Sequence, residues 1–164
     1  MNRNLSLAAH ALLMVLAFPA LVSAQSPPLQ VEGALGKAWF ADDGAIEHTI
    51  GSGSVRWALT PRLSIGPELS YMVGPGHDRD LTLTGNVHYA FRKSGIAPFI
   101  VGGAGFFSHS DVFISGRYSS TEGGFTAGGG VRFPVGGGWY VAPEARVGWE
   151  PHTRLQVTVG YATK

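Results

Sequence analysis

The sequence predicts an all-β fold, an eight-stranded antiparallel up-and-down transmembrane β-barrel, on three observations. Apolar residues alternate with small or polar ones through eight segments, each close to the roughly 9–11 residues that a tilted strand needs to cross a bilayer. The face opposite the apolar one is poor in charge, and the whole chain is only 14% charged, against about 25% in soluble domains. Glycine is abundant, 24 residues with no three-residue period, which disfavours helices because interior glycine costs about 1 kcal/mol relative to alanine.

The N-terminus is set aside before the fold is considered. Arg3, the apolar run from Ala11 to Val22 and the small residues Val22-Ser23-Ala24 before Gln25 form a secretory signal peptide over residues 1–24. The apolar run is shorter than the roughly 20 residues of a spanning helix. Residues 25–164 are then the barrel domain. With Arg3 removed, the twelve basic residues of the chain fall to eleven, equal to the eleven acidic ones. That balance leaves no basic excess for nucleic acid. The chain contains no cysteine, so disulfides and cysteine-based metal sites are excluded.

The strand segments are 29–40, 50–59, 63–73, 81–91, 98–107, 123–133, 139–149 and 153–161. Odd positions carry the apolar face. The first segment reads Leu29, Val31, Gly33, Leu35, Lys37, Trp39, and the second Gly51, Gly53, Val55, Trp57, Leu59. The third and fourth continue through Ile65, Pro67, Leu69, Tyr71 and Leu81, Leu83, Val87, Tyr89. The fifth takes Phe99, Val101, Gly103, Gly105 and Phe107, and the sixth Phe125, Ala127, Gly129, Val131 and Phe133. The last two run Trp139, Val141, Pro143, Ala145, Val147, Trp149 and Leu155, Val157, Val159, Tyr161. Even positions hold Gly, Ala, Ser and Thr with isolated charges. A soluble barrel would carry Lys and Glu on its water-facing side, whereas this face suits the narrow lumen of eight strands.

Aromatic residues and connections orient the barrel. Trp57, Tyr89, Phe91, Phe99, Phe133, Trp139 and Tyr161 fall near one end of the odd face, and Trp39, Tyr71, Phe107, Phe125 and Trp149 near the other. Two girdles around an aliphatic band mark the two membrane interfaces. Short connections at 60–62, 92–97 and 134–138 lie on the periplasmic side, and the longer ones at 41–49 and 108–122 lie outside. A weak internal repeat joins the halves: Val55-Arg56 matches Val131-Arg132, Pro67-Glu68 matches Pro143-Glu144, and Val31, Gly33 and Ala34 match Val101, Gly103 and Ala104.

With its signal peptide, its eight alternating strands and stretches such as GGGVRFPV, WYVAPEARVGWEPHTRLQVTVGY and TPRLSIGPELSYMVG, the chain resembles the small outer-membrane β-barrel proteins of the OmpX type and the transmembrane domain of OmpA. The resemblance implies residence in the bacterial outer membrane among its lipids and lipopolysaccharide, delivery by the barrel-insertion machinery, and a monomer able to meet a surface ligand through its outer loops.

The chemistry of the even face points to a closed lumen. Glu32, Glu68 and Glu144 with Arg56, Arg132, Arg146 and Arg154 are expected to pair as a structural network, because an isolated charge out of water is costly. The rival is a narrow pore. Some barrels of this size are lipid A-modifying enzymes that use His, Ser and an acid at the outer rim, which draws attention to Ser108, His109, Ser110, Asp111, His48, His77 and His152. These are read as solvated loop residues, and their spacing matches no zinc motif. His88 is expected to belong to the lumen network. The expectation is therefore a non-enzymatic envelope or surface-interaction protein with no catalytic, cofactor or metal residues.

Overall fold

The computed structural model describes residues 28–41, 46–113 and 116–163. Residues 1–24, read above as a signal peptide, lie outside them, as does Ile114 of the segment expected as an outer loop. Eight strands follow one another in chain order: β1 (Leu29–Phe40), β2 (Ile46–Ala58), β3 (Leu63–Val73), β4 (Arg79–Ala90), β5 (Ala97–Phe113), β6 (Gly116–Gly136), β7 (Trp139–Gly148) and β8 (His152–Ala162). Each pairs antiparallel with its neighbour, and β8 returns to β1 to close the barrel. Closure leaves no strand edge unpaired within hydrocarbon.

In seven strands the odd residues face outward, as alternation predicts. Leu35 is 73% exposed, and Leu69, Val147, Leu155, Val157 and Val159 are also exposed. Trp139 meets Tyr161 and Phe125 meets Trp149 at opposite ends of this surface, with ring centroids 5.2 and 5.9 Å apart. The barrel interior takes Gln30, Ser64, Glu68, Asn86, Thr126, Glu144, Gln156 and Thr158, all buried.

Strand β5 departs from that parity. Phe99, Val101 and Phe107 are buried in the lumen, while Ile100 and Phe106 face outward at 52% and 64% exposure. The two aromatic residues assigned by parity to the girdles thus lie inside. Pairing shows how the frame slips: Thr84 faces Gly105 and Asn86 faces Gly103 on β4–β5, and Ala97 faces Arg132 on β5–β6. Even residues of both neighbours therefore oppose odd residues of β5, whereas the other pairings match like parity except Gly136 opposite Trp139 at the β6–β7 bulge. The segment FIVGGAGFF carries apolar residues at both parities, so alternation alone does not orient it. The connections on either side set its face. Glycine at 103 and 105 is required there, because a Cβ on either would overlap the β4 strand, Asn86 and Gly85 in one case and Leu83 and Thr84 in the other. The slip also breaks the internal repeat, since Val31 points to lipid and its counterpart Val101 to the lumen.

Because the chain has no cysteine, single-cysteine labels read this face directly. Nitroxide labels at Ile100→Cys and Phe106→Cys should show high collision rates with lipid-dissolved oxygen, and a label at Val101→Cys a low rate. The reverse pattern would restore the odd-out frame.

The outer segment 108–122 is a second difference. It was expected as a loop, yet β5 and β6 continue paired through it, from Ser108 opposite Thr121 to Phe113 opposite Gly116. The result is a β-hairpin projecting beyond the outer girdle, with Tyr118 exposed on it.

Candidate functional site

The interior is organised in layers along the barrel axis. Toward the end that carries both termini of the barrel, the Glu32 carboxylate contacts the Arg56 guanidinium, accepts from the Tyr140 hydroxyl at 2.5 Å and accepts from Ser54 at 2.8 Å. Arg132 takes a different role from the other arginines. Its guanidinium donates to Gln30 at 3.1 Å and lies 4.4 Å from the centre of the Tyr140 ring, with no ion pair among the described residues. His88 is buried and stacked on Phe99 at 5.7 Å, but its Nδ1 has no hydrogen-bond partner. It faces the lumen without joining the polar network.

The middle layer centres on Glu68. Its carboxylate receives Arg146 at 2.9 Å, Arg154 at 2.6 Å, Asn86 at 3.3 Å and Ser70 at 3.2 Å. Arg146 also reaches Glu144 at 2.9 Å, and Gln156 donates to the same Glu144 oxygen. These residues come from β3, β4, β7 and β8, so the network spans the lumen from wall to wall. Alternation explains why each points inward. Pairings such as Glu144 opposite Gln156 and Arg146 opposite Arg154 explain why they meet.

Above this network lies an apolar layer of Ala38, Phe40, Ile50, Met72 and Phe107, all nearly inaccessible. It contains the large even apolar residue Phe40 and the inward-turned Phe107, with ring centroids 6.2 Å apart.

The outer mouth holds a cluster that sequence spacing did not disclose. His48 Nε2 lies 2.7 Å from Asp78 Oδ2 and 3.4 Å from Asp80 Oδ2. His109 Nδ1 lies 2.7 Å from Asp80 Oδ1 and 3.6 Å from Asp78 Oδ1. His48 and Asp80 are buried, Asp78 and His109 partly so. The reading of these histidines as solvated is corrected for His48, His109 and also His152, which is buried against Phe40; His77 is exposed. The reason is that β2, β4 and β5 extend past the girdle and carry their inward-facing positions into a shared mouth. His109 stands beyond the girdle. Burial alone would lower its pKa, but the hydrogen bond and charge of Asp80, with Asp78 and Glu150 adding to them, raise it above the ordinary histidine value.

No Ser–His–acid set is assembled at this mouth among the described residues. Ser110 donates to the Arg79 carbonyl, and Ser108 donates to the Ser120 carbonyl while accepting from Thr121. His109 is held instead by an aspartate from β4.

The profile of the family described as outer membrane protein beta-barrel domain matches residues 8–162. No curated protein matches the chain. Among solved structures, the N-terminal β-barrel domain of Pseudomonas aeruginosa OprF is similar at 14% identity and a TM-score of 0.69, covering 85% of this chain and all 100% of that one. Neisserial surface protein A is similar at 13% identity and a TM-score of 0.68, covering 82% and 95% of the two chains. The outer membrane enzyme PagL is similar at 17% identity and a TM-score of 0.51, covering 80% and 98%. At such identities these likenesses establish the fold.

Proposed function

Since the chain belongs to the outer membrane protein beta-barrel domain family and resides in the bacterial outer membrane, we propose that it is a non-enzymatic envelope protein whose lumen is closed and whose outer hairpin serves surface interaction. The observation that carries this reading is the wall-to-wall network on Glu68, capped by the apolar Phe40–Phe107 layer. A charged network alone could pass ions. An apolar layer stacked on it removes the polar path that hydrated solutes need, and eight strands leave little room around the side chains.

The β5–β6 hairpin supplies the second half of the proposal. It rises beyond the girdle on a rigid barrel and presents Tyr118, an amphipathic side chain of the kind enriched at recognition surfaces. The surface ligand is proposed to meet the chain there. The fold is shared with an enzyme, PagL, but the serine hydroxyls beside His109 are bound to backbone carbonyls rather than to the imidazole. That arrangement favours the non-enzymatic reading over lipid A modification.

Closure is tested by reconstituting the protein, confirmed as folded by its heat-modifiable migration on a gel, into planar bilayers and liposomes. Little solute permeation and no steady large conductance are expected. Sustained channels would overturn the closed lumen and make a narrow pore the leading function. Lipid A of unchanged acylation in cells that express the protein is also expected, and a protein-dependent change would establish the enzymatic alternative.

A further inference from the structure

We propose that the outer mouth is a binding site for a divalent transition-metal ion of the zinc class, held by His48 Nε2, Asp78, Asp80 and His109 Nδ1. Two imidazoles and two carboxylates form a nitrogen–oxygen donor set of the kind zinc accepts in tetrahedral geometry. The candidate donor atoms of His48, Asp78 and Asp80 all lie within 4.8 Å of one another.

The spacing fits a metal of that size. With metal–ligand bonds of about 2.0–2.2 Å, tetrahedral donors stand about 3.3–3.6 Å apart. The His48–Asp80 and His109–Asp78 separations, 3.4 and 3.6 Å, already meet that distance. The two 2.7 Å contacts are hydrogen-bond lengths to the other oxygen of each carboxylate; admitting the ion requires them to open and requires His109, which stands outside the compact group of His48, Asp78 and Asp80, to close in.

The surroundings orient these groups toward one another. His48 Nδ1 lies 3.4 Å from the Ile46 carbonyl, which can only accept. With an ion bound and hydrogen on that nitrogen, the ring would present its Nε2 lone pair to the ion. Such a backbone anchor on the second nitrogen is the usual companion of a ligating imidazole. Asp78 Oδ1 is buried without a hydrogen-bond partner, an unmet acceptor aimed into the cluster. The nearby cation does not serve these carboxylates: Arg79 donates to the carbonyls of Gly74, Gly76 and Asp78. Gly74 leaves the space that the site occupies, since a Cβ there would overlap His48 Nε2 and come within 2.7 Å of Asp78 Oδ2. Each of the 2.7 Å imidazole–carboxylate contacts is bridged by a proton. A metal ion replaces the bridging protons and leaves the site neutral.

The four ligands come from β2, the β3–β4 turn, β4 and the base of the projecting hairpin on β5. An ion at this point ties the hairpin to the opposite side of the mouth. His109 also packs near Tyr118, with ring centroids 6.1 Å apart, so occupancy and the pose of the hairpin are linked.

The test uses untagged, folded full-length barrel in detergent, stripped with chelator and titrated by calorimetry with Zn²⁺ alone, then with Ca²⁺ or Mg²⁺ alone. One-to-one saturable binding of Zn²⁺, and none of the other two, is expected. His48→Ala and Asp80→Asn should each weaken zinc binding about tenfold or more, while His77→Ala, an exposed histidine one residue from Asp78, should leave it unchanged. Co²⁺ substitution should give the intense visible absorption of a tetrahedral site. Should either cluster variant fail the heat-modifiability check for folding, the unmodified protein, His77→Ala and the Co²⁺ spectrum still decide. Absence of saturable zinc binding, loss of it in His77→Ala, an octahedral Co²⁺ spectrum, or folded His48→Ala and Asp80→Asn proteins that bind as before would each overturn the site.

Discussion

Glu68→Ala is expected to destabilise the barrel by about 3–5 kcal/mol, the loss typical when one partner of a buried ion pair is removed. Glu68 receives both Arg146 and Arg154. Arg146 retains Glu144 after the substitution, at 2.9 Å. Arg154 retains only the Ser70 hydroxyl and loses its carboxylate partner, so a nearly inaccessible guanidinium is left uncompensated. Glu144→Ala should cost less than Glu68→Ala, because Glu144 serves one arginine and Gln156 whereas Glu68 serves two arginines. The measurement is urea unfolding in lipid vesicles, followed by the folded fraction on an unheated gel. A double variant, Glu68→Met with Arg154→Met, should recover much of the lost stability, because removing both charges leaves neither buried alone. A loss below about 1 kcal/mol in the single variant would mean that the network contributes little to stability.

Val157→Arg is expected to cost about 2–4 kcal/mol, the penalty for arginine near the bilayer midplane on the lipid face of a barrel. Val157 is 50% exposed and sits between Leu35 on β1 and Pro143 on β7, far from either girdle. The adjacent Thr158 faces the lumen and is buried, and Thr158→Ser, which keeps its hydroxyl, should be mild. The same urea titration checks both. The contrast depends on the solvent outside the barrel rather than on strand propensity, so it should shrink when the outer solvent is detergent that admits water around position 157. Equal losses for the two variants in lipid would mean that β8 has its faces assigned the wrong way round.

The hairpin bears on how the sequence is read. Segment 108–122 is rich in Ser and carries Asp111, Arg117 and Glu122, which is loop composition by ordinary criteria. It pairs anyway, because β5 and β6 enter it already in register and each further pair extends an existing ladder. Composition underestimates strand length wherever a hairpin is seeded by a membrane-embedded portion. The same extension moved His109 from an apparent loop into an ordered position facing β4, and thereby made the mouth cluster.

What the sequence determined by itself was the class and which face of seven strands points outward. Period-two alternation over bilayer-length segments, a low-charge second face and two aromatic levels admit few alternatives, because hydrocarbon demands closed pairing and an apolar exterior at every strand. The inward placement of Glu32, Arg56, Glu68, Glu144, Arg146 and Arg154 was legible for the same reason: each is a charge within an alternating strand. Tertiary structure alone decided the rest. The face of β5 depended on connection geometry, since its apolar residues occupy both parities. The partner of each lumen charge depended on distances across the barrel, which leaves Arg132 on an aromatic ring and Glu68 between two arginines. The mouth cluster joins residues 48, 78, 80 and 109, whose separations in sequence follow no ligand motif. Only the closure of eight strands brings them to one rim, because side chains that meet across a lumen are set by shear and strand register, which do not repeat along the chain.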